Sequence, residues 1–290
     1  MNPLRKHFDP DTPLPIELVL RSTKNLQSEL PDHLHDWHEI IYVHSGAGSF
    51  FINHSFYEMQ AGDLYLVPGN TIHRTFPHSE EPITSSAMFF SGHYIQSSAI
   101  GKDAYSFLRC FDLAKSGRNY RIELLPEERA RIESIIDEMS EELRMRQPGY
   151  RQAVMLLLQT VLLHTNRKMN LGEPRQPPGG SRPLWLQSAL DFIDAHLVES
   201  ISLSALASRA AVSPSYFSRM FKQLTGMNVT EYIIAKRIMH AKELIGGTDH
   251  TIAEIANQCG FESLPHFYRM FKKFSGSTPA HYKRIDVRGL

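Results

Sequence analysis

Two stretches of the last third of the chain are nearly the same sentence. Residues 213–226 read Ser-Pro-Ser-Tyr-Phe-Ser-Arg-Met-Phe-Lys-Gln-Leu-Thr-Gly, and residues 263–276 read Ser-Leu-Pro-His-Phe-Tyr-Arg-Met-Phe-Lys-Lys-Phe-Ser-Gly. Phe217/Phe267, Arg219/Arg269, Met220/Met270, Phe221/Phe271, Lys222/Lys272, Gly226/Gly276 and Tyr232/Tyr282 recur at one offset of 50. A period of that size marks a duplicated supersecondary unit. A short Ala-rich helix, a tight turn and a basic helix predict that each copy is a helix-turn-helix. Such a chain is expected to read double-stranded DNA at two places.

With 290 residues there is room for about two domains. Net charge is zero, yet it divides: from Leu184 onward there are 12 Lys+Arg against 9 Asp+Glu, and the remainder carries the opposite imbalance. The basic excess sits with the repeat, although three charges make a weak electrostatic footprint. Cys110 and Cys259 are the only cysteines, too few for a disulfide framework or a cysteine-built zinc site. The N-terminus has no apolar leader, and the longest apolar stretch, 153–163, is broken by Gln159 and Thr160. No membrane span is expected, and the reading is cytoplasmic.

Periodicity separates three regions. Residues 16–95 hold short apolar runs at 39–43, 48–52, 64–67 and 84–90, divided by turn signals at Ser45-Gly46, Ala61-Gly62-Asp63 and Pro68-Gly69-Asn70. They predict a small jelly-roll sandwich or barrel. Residues 126–167 change to helical spacing, with Ile132, Ile135, Ile136 and Met139 on one stripe and 154–163 forming a second helix after Pro148-Gly149. These two helices either cover the β domain or form a homodimer interface, because Leu156, Leu157, Leu158, Val161, Leu162 and Leu163 wrap more than one face. Residues 168–183 contain four Pro and three Gly and read as a linker. The division is therefore 1–167, a linker at 168–183, and a helical 184–290.

In the first unit Ser213 is the expected N-cap and Pro214 the first helical residue. Phe217, Met220, Phe221 and Leu224 lie at i, i+3, i+4 and i+7 and face inward; Ser215, Tyr216, Ser218, Arg219 and Lys222 are left outside. In the second, Phe267, Met270, Phe271 and Phe274 face inward, with His266, Tyr268, Arg269, Lys272 and Lys273 outside. Residues 229–245, free of Gly and Pro, predict a connecting rod of about 25 Å. Such a rod sets both reading helices into successive major-groove segments, about one helical turn (~34 Å) apart. Arg219 and Arg269 suit guanine edges, while Lys222, Lys272 and Lys273 suit phosphates. The alternative for the two arginines is a scaffold salt bridge within each unit. Positions that differ between copies (Ser215/Pro265, Tyr216/His266, Ser218/Tyr268) are the expected sequence readers.

Residues 185–282 resemble the DNA-binding domain of the AraC family of bacterial transcription regulators. The likeness runs through Leu-Ala-Ser-Arg-Ala-Ala-Val-Ser-Pro-Ser-Tyr-Phe-Ser-Arg-Met-Phe-Lys, then Ile-Ala-Asn-Gln-Cys-Gly-Phe-Glu-Ser, and ends in Thr278-Pro279-Ala280-His281-Tyr282. Two positions depart from a simple repeat. Ala211 stands where the other copy has Gly260, and a left-handed Ala costs on the order of 1 kcal/mol. Pro265 is tolerable only in the first turn of its helix.

Upstream, His33-Leu34-His35-Asp36-Trp37-His38-Glu39, then Gly46, resembles the first motif of cupins. Residues 62–73, from Gly62-Asp63 to His73, resemble the second, with Asn70 in place of a usual Gly. In cupin enzymes the equivalents of His33, His35, Glu39 and His73 hold a metal, a donor set suited to Fe, Mn, Ni or Zn. The family resemblance implies instead a cupin-like domain that binds a small effector, often a sugar, and needs no cofactor. His33, His35, Glu39 and His73 would then hydrogen-bond sugar hydroxyls, and Trp37, Tyr42, Phe50, Phe51 and Tyr65 would stack on the ring or fill the core. His38, His44, His54 and His78 read as turn or surface residues. The resemblance thus implies a non-enzymatic, ligand-responsive regulator, of a carbohydrate-utilisation operon by analogy, partnered by RNA polymerase if it activates. The competing readings are a metal-dependent cupin enzyme fused to a DNA-binding domain, and an effector-independent DNA binder.

Overall fold

A computed structural model of the protein describes residues 14–24, 35, 37–53, 55–95, 105–171 and 184–287. The chain divides into two compact units, one carrying the strands and the other Ser181–Leu290.

The first unit has eight strands among its described residues: β1 (Ile16–Lys24), β2 (His38–Ser45), β3 (Gly48–Ile52), β4 (Ser55–Met59), β5 (Asp63–Val67), β6 (His73–Pro77), β7 (Ile83–Phe90) and β8 (Arg121–Glu123). They form an antiparallel five-stranded sheet in the order β1-β7-β2-β5-β8 and a three-stranded sheet in the order β4-β3-β6. The four expected strand runs are present. Asn70, at the place of the usual Gly, has φ 59°, a left-handed conformation that Asn tolerates better than most residues.

Three α-helices accompany the sheets among the described residues, one more than the sequence suggests: α1 (Arg109–Gly117), α2 (Pro126–Met145) and α3 (Tyr150–Leu171). Only Cys110, Phe111 and Ala114 of α1 are buried, too short a stripe to register as a period. Ile132, Ile135, Ile136 and Met139 form the buried stripe of α2, as expected. Lys168 lies within α3 and pairs with Glu128 at 2.8 Å, so the first four residues of the expected linker are helical. The rest of that linker, 172–183, lies outside the described residues.

The second unit is helical: α4 (Leu184–Ala195), α5 (Leu203–Arg209), α6 (Pro214–Thr225), α7 (Val229–Gly247), α8 (Ile252–Gln258), α9 (Leu264–Ser275) and α10 (Pro279–Val287). Ser213 Oγ accepts from the Tyr216 amide and Ser263 Oγ from the His266 amide, so both reading helices are capped where the sequence places the caps. Pro265 falls in the first turn of α9, where its missing amide is harmless. Phe217, Phe221, Phe267, Phe271 and Phe274 are buried; Met220, Leu224 and Met270 are only half-buried. Cys259 is buried, and burial pushes its thiol up to about 12, as suits a small core side chain. At 19 residues, α7 is a rod of about 28 Å.

The turns before the two reading helices share one backbone device. Ala211 has φ 53° and Gly260 φ 76°. They differ in surroundings, because a Cβ on Gly260 would lie 2.5 Å from the Val198 carbonyl oxygen. Relief of left-handed strain and the greater freedom of unfolded Gly nearly offset each other at Ala211. Ala211→Gly is therefore expected to leave stability within about 1 kcal/mol of wild type. Gly260→Ala adds a backbone clash to the strain and should cost roughly 2 kcal/mol or more. Equal effects in urea unfolding would refute this distinction.

Candidate functional site

The reading faces follow from the buried phenylalanines. With Phe217 and Phe221 inside, α6 exposes Ser215, Tyr216, Arg219, Lys222 and Gln223, and leaves Ser218 half-buried. With Phe267 and Phe271 inside, α9 exposes Pro265, Arg269, Lys272 and Lys273. His266 and Tyr268 are half-buried: the His266 ring meets the edge of Phe261 at 5.8 Å, and Tyr268 lies 6.1 Å from Phe267. The Arg219 guanidinium lies over the Tyr216 ring at 5.7 Å. Among the described residues neither Arg219 nor Arg269 has an ion-pair partner, so the scaffold salt bridge is not what orients them. Gln223 belongs to the exposed face and was not singled out from the sequence. The signal was there, since it faces Lys273 across the repeat and differs from it.

Glu39 and His73 come together in the first unit, and His35, Glu39 and His73 each offer a donor atom within 4.8 Å of the others. All three are buried. Glu39 is on β2 and His73 at the start of β6, one on each sheet. His73 Nε2 lies 3.1 Å from Glu39 Oε2, and its Nδ1 lies 2.9 Å from the Thr71 carbonyl oxygen. A carbonyl only accepts, so Nδ1 carries a proton and Nε2 is aimed at the carboxylate. Aromatic rings line this side: Phe50 stands edge-on to His73 at 6.1 Å and to Tyr65 at 5.1 Å, and Tyr57 meets Tyr65 at 5.6 Å. A buried ionisable pair among aromatic rings is costly unless further partners satisfy it.

Two imidazoles and one carboxylate also fit a divalent transition metal. The hydrogen bond from His73 Nδ1 to a carbonyl is the usual support of a metal-bound imidazole. When bound, such an ion would supply a Lewis acid held by His35, Glu39 and His73. The fourth candidate, His33, lies outside the described residues, as does His54.

The structure does not bring Tyr42 to this group. Along β2, Tyr42 alternates with Glu39 onto the opposite face, where its hydroxyl donates to Glu133 Oε1 on α2 at 2.6 Å. Burial and the Glu133 carboxylate hold its phenol well above the ordinary value. Phe51 likewise turns away, against Phe56 at 4.8 Å, while Trp37 is buried just before β2. His38 and His44 are strand residues rather than turn residues. His38 packs against Phe111 at 4.4 Å, and His44 Nε2 lies 2.8 Å from Ser86 Oγ.

Residues 16–162 match the model of the AraC-like ligand binding domain, and residues 206–285 match that of a helix-turn-helix domain. The chain belongs to the AraC family of transcription regulators. Among its relatives, the HTH-type transcriptional regulator YijO of Escherichia coli K12 is 26% identical over 245 residues, covering 84% of this chain and 77% of YijO. The HTH-type transcriptional activator RhaR of Escherichia coli K12 is 23% identical over 260 residues, covering 90% and 89%. Among solved structures, the DNA-binding domain of AdpA in complex with a target DNA is 33% identical, covering 36% of this chain and 92% of that one, with a TM-score of 0.34. This AraC-family member is thus a transcription regulator with a ligand-binding domain and a DNA-binding helix-turn-helix domain. No described helix is long and apolar enough to cross a membrane.

The two faces of β2 give a test that needs no ligand. In thermal unfolding, Tyr42→Phe and Glu133→Gln are expected to couple by about 0.5 kcal/mol or more in a double-mutant cycle. Tyr42→Phe with Glu39→Gln should instead be additive within about 0.5 kcal/mol. Coupling of Tyr42 to Glu39 would put both on one face.

Proposed function

We propose that this protein is a ligand-responsive regulator that reads two adjacent major-groove segments and takes a small polyhydroxylated effector, such as a sugar, between its two sheets. The observation that carries the effector site is the buried Glu39–His73 pair, with His35 beside it and Phe50, Tyr57 and Tyr65 around it. Carboxylate and imidazole suit hydroxyl groups, and aromatic faces suit the C–H face of a sugar ring. Effector control is a population shift and requires that the effector bind one functional state better than the other.

On the DNA side, Arg219 and Arg269 project from matching places on two capped helices and suit guanine edges. Ser215, Tyr216, Ser218, His266 and Tyr268 supply contacts that differ between copies, and Gln223 joins them. Lys222, Lys272 and Lys273 suit phosphates. A homodimer is the expected assembly: Leu156 on α3 is 64% exposed, a large apolar side chain open to a second copy. Activation through RNA polymerase, a cytoplasmic location and a role in carbohydrate utilisation complete the reading. That RhaR is a transcriptional activator supports the first of these.

Arg269→Ala is expected to cost about 1–3 kcal/mol of binding to a selected specific duplex while barely changing binding to random duplex at the same salt. Equal losses on both duplexes would make Arg269 a phosphate or scaffold residue.

The effector reading is tested by thermal shift of the full chain against sugars, sugar phosphates and divalent metals, with and without chelator. A ligand at a hundred times its dissociation constant adds about 2.7 kcal/mol, and His73→Ala should abolish that gain. Stabilisation by a sugar, indifferent to chelator, is the expected result. Stabilisation by metal alone, lost with chelator, would favour the metal-cupin reading, which the donor geometry of His35, Glu39 and His73 also fits. No response to any of them would leave the first unit without an effector role.

A further inference from the structure

We propose that Arg237 is the positioning residue that fixes the angle between the two reading helices, and so sets the spacing at which the protein reads its two DNA segments. The inference rests on the two-segment reading above.

Arg237 lies in the middle of α7, half-buried. Its guanidinium donates to three main-chain carbonyls on two separate segments. Nε reaches Leu197 O at 2.8 Å and Nη2 reaches Glu199 O at 2.6 Å, both between α4 and α5. Nη1 reaches Gly260 O at 2.7 Å, in the turn that launches α9. One side chain therefore joins the entry of the first helix-turn-helix to the turn of the second. The planar fork of arginine makes this possible, because its donors leave in fixed directions that a single ammonium cannot match.

The joint is closely fitted, and α7 also carries buried Ile238, Ala241 and Ile245 on the side of the second helix-turn-helix. The two segments meet at the Gly260 α-carbon and the Val198 carbonyl, where even one Cβ would not fit. A cavity of about 370 Å³ lies alongside, lined by Val198, Ile201, Ile233, Ile234 and Phe261 among others. Lys236, one residue earlier, pairs with Asp194 of α4 at 3.1 Å, so adjacent residues of α7 secure the entry of the first helix-turn-helix, and Arg237 also holds the turn of the second.

The repeat itself makes Arg237 exceptional. Neither counterpart is an arginine: the offset of 49 that pairs Ala211 with Gly260 sets Ser188 against Arg237, and the offset of 50 that pairs Tyr232 with Tyr282 sets Val287 against it. Duplication thus does not explain Arg237. It acts between the units rather than within one of them.

The test uses the full-length protein and duplexes selected by the wild type from a random-sequence library. Three probes follow from the selected sequence: both segments, one segment scrambled, and both segments with one base pair inserted between them. Wild type should lose tenfold or more on the inserted duplex. R237Q should bind the single-segment duplex within about twofold of wild type, lose about tenfold on the intact one, and discriminate less than threefold against the insertion. Wild-type discrimination in R237Q overturns the proposal, and so does an equal loss on all three probes, which is what a merely structural role gives. If R237Q does not fold, R237K decides: it keeps the charge but cannot span three carbonyls, so wild-type discrimination in it overturns the proposal equally. A selection that returns a single segment overturns the two-segment reading and this inference with it, an outcome visible before any variant is made.

Discussion

Burial of Phe217 and Phe221, with Phe221 against Tyr232, and of Phe267 and Phe271, with Phe271 against Tyr282, determines how each reading helix is rotated about its own axis. Residues at i and i+4 share a helix face, so hiding two phenylalanines leaves Arg219 and Arg269 no choice but the opposite side. The caps at Ser213 and Ser263 then fix where each helix begins, and the left-handed residues Ala211 and Gly260 aim it out of the turn. Everything proposed about DNA depends on this arrangement, since a rotation of about 100° per residue would carry Arg219 into the core.

These features were legible because they are local. A cap, a proline in the first turn and an apolar period each span fewer than about ten residues, and the duplication states each of them twice. The same locality explains what was missed. Gln223 sits at the edge of the exposed stripe, where the helical period alone does not decide. Arg237 holds carbonyls 23 to 40 residues away in the chain, and no spacing rule announces a side chain that serves main-chain atoms so far off.

The strand-rich half was less legible for a different reason. β2 lies between β5 and β7 in the middle of its sheet, and from Glu39 to Val43 every residue is buried. A strand buried on both faces reads as a continuous apolar run, so its alternation is silent in the sequence. Glu39 and Tyr42 differ by an odd number of positions, and that parity separates them. Glu39 turns to His73 across the sheets, whereas Tyr42 turns to Glu133 on a helix. The motif likeness placed His35, Glu39 and His73 correctly in one group because it carries geometry that the hydrophobic pattern lacks. It said nothing of Tyr42, which was included only as a nearby aromatic residue.

The two halves differ in what an effector can change. Allosteric coupling is typically worth about 1–3 kcal/mol. Breaking the Arg237 joint would forfeit three hydrogen bonds to a charged group, each roughly 1.5–3 kcal/mol, before counting the Lys236–Asp194 pair. If the effector proposed for Glu39 and His73 couples within that range, it falls short of the energy needed to alter the angle between α6 and α9. Under that proposal, control leaves the reading helices in place and changes instead whether they are available to DNA, or how they are combined with a second copy. The spacing read within one protomer would then be a constant of the fold, and the variable that the effector governs would lie outside it.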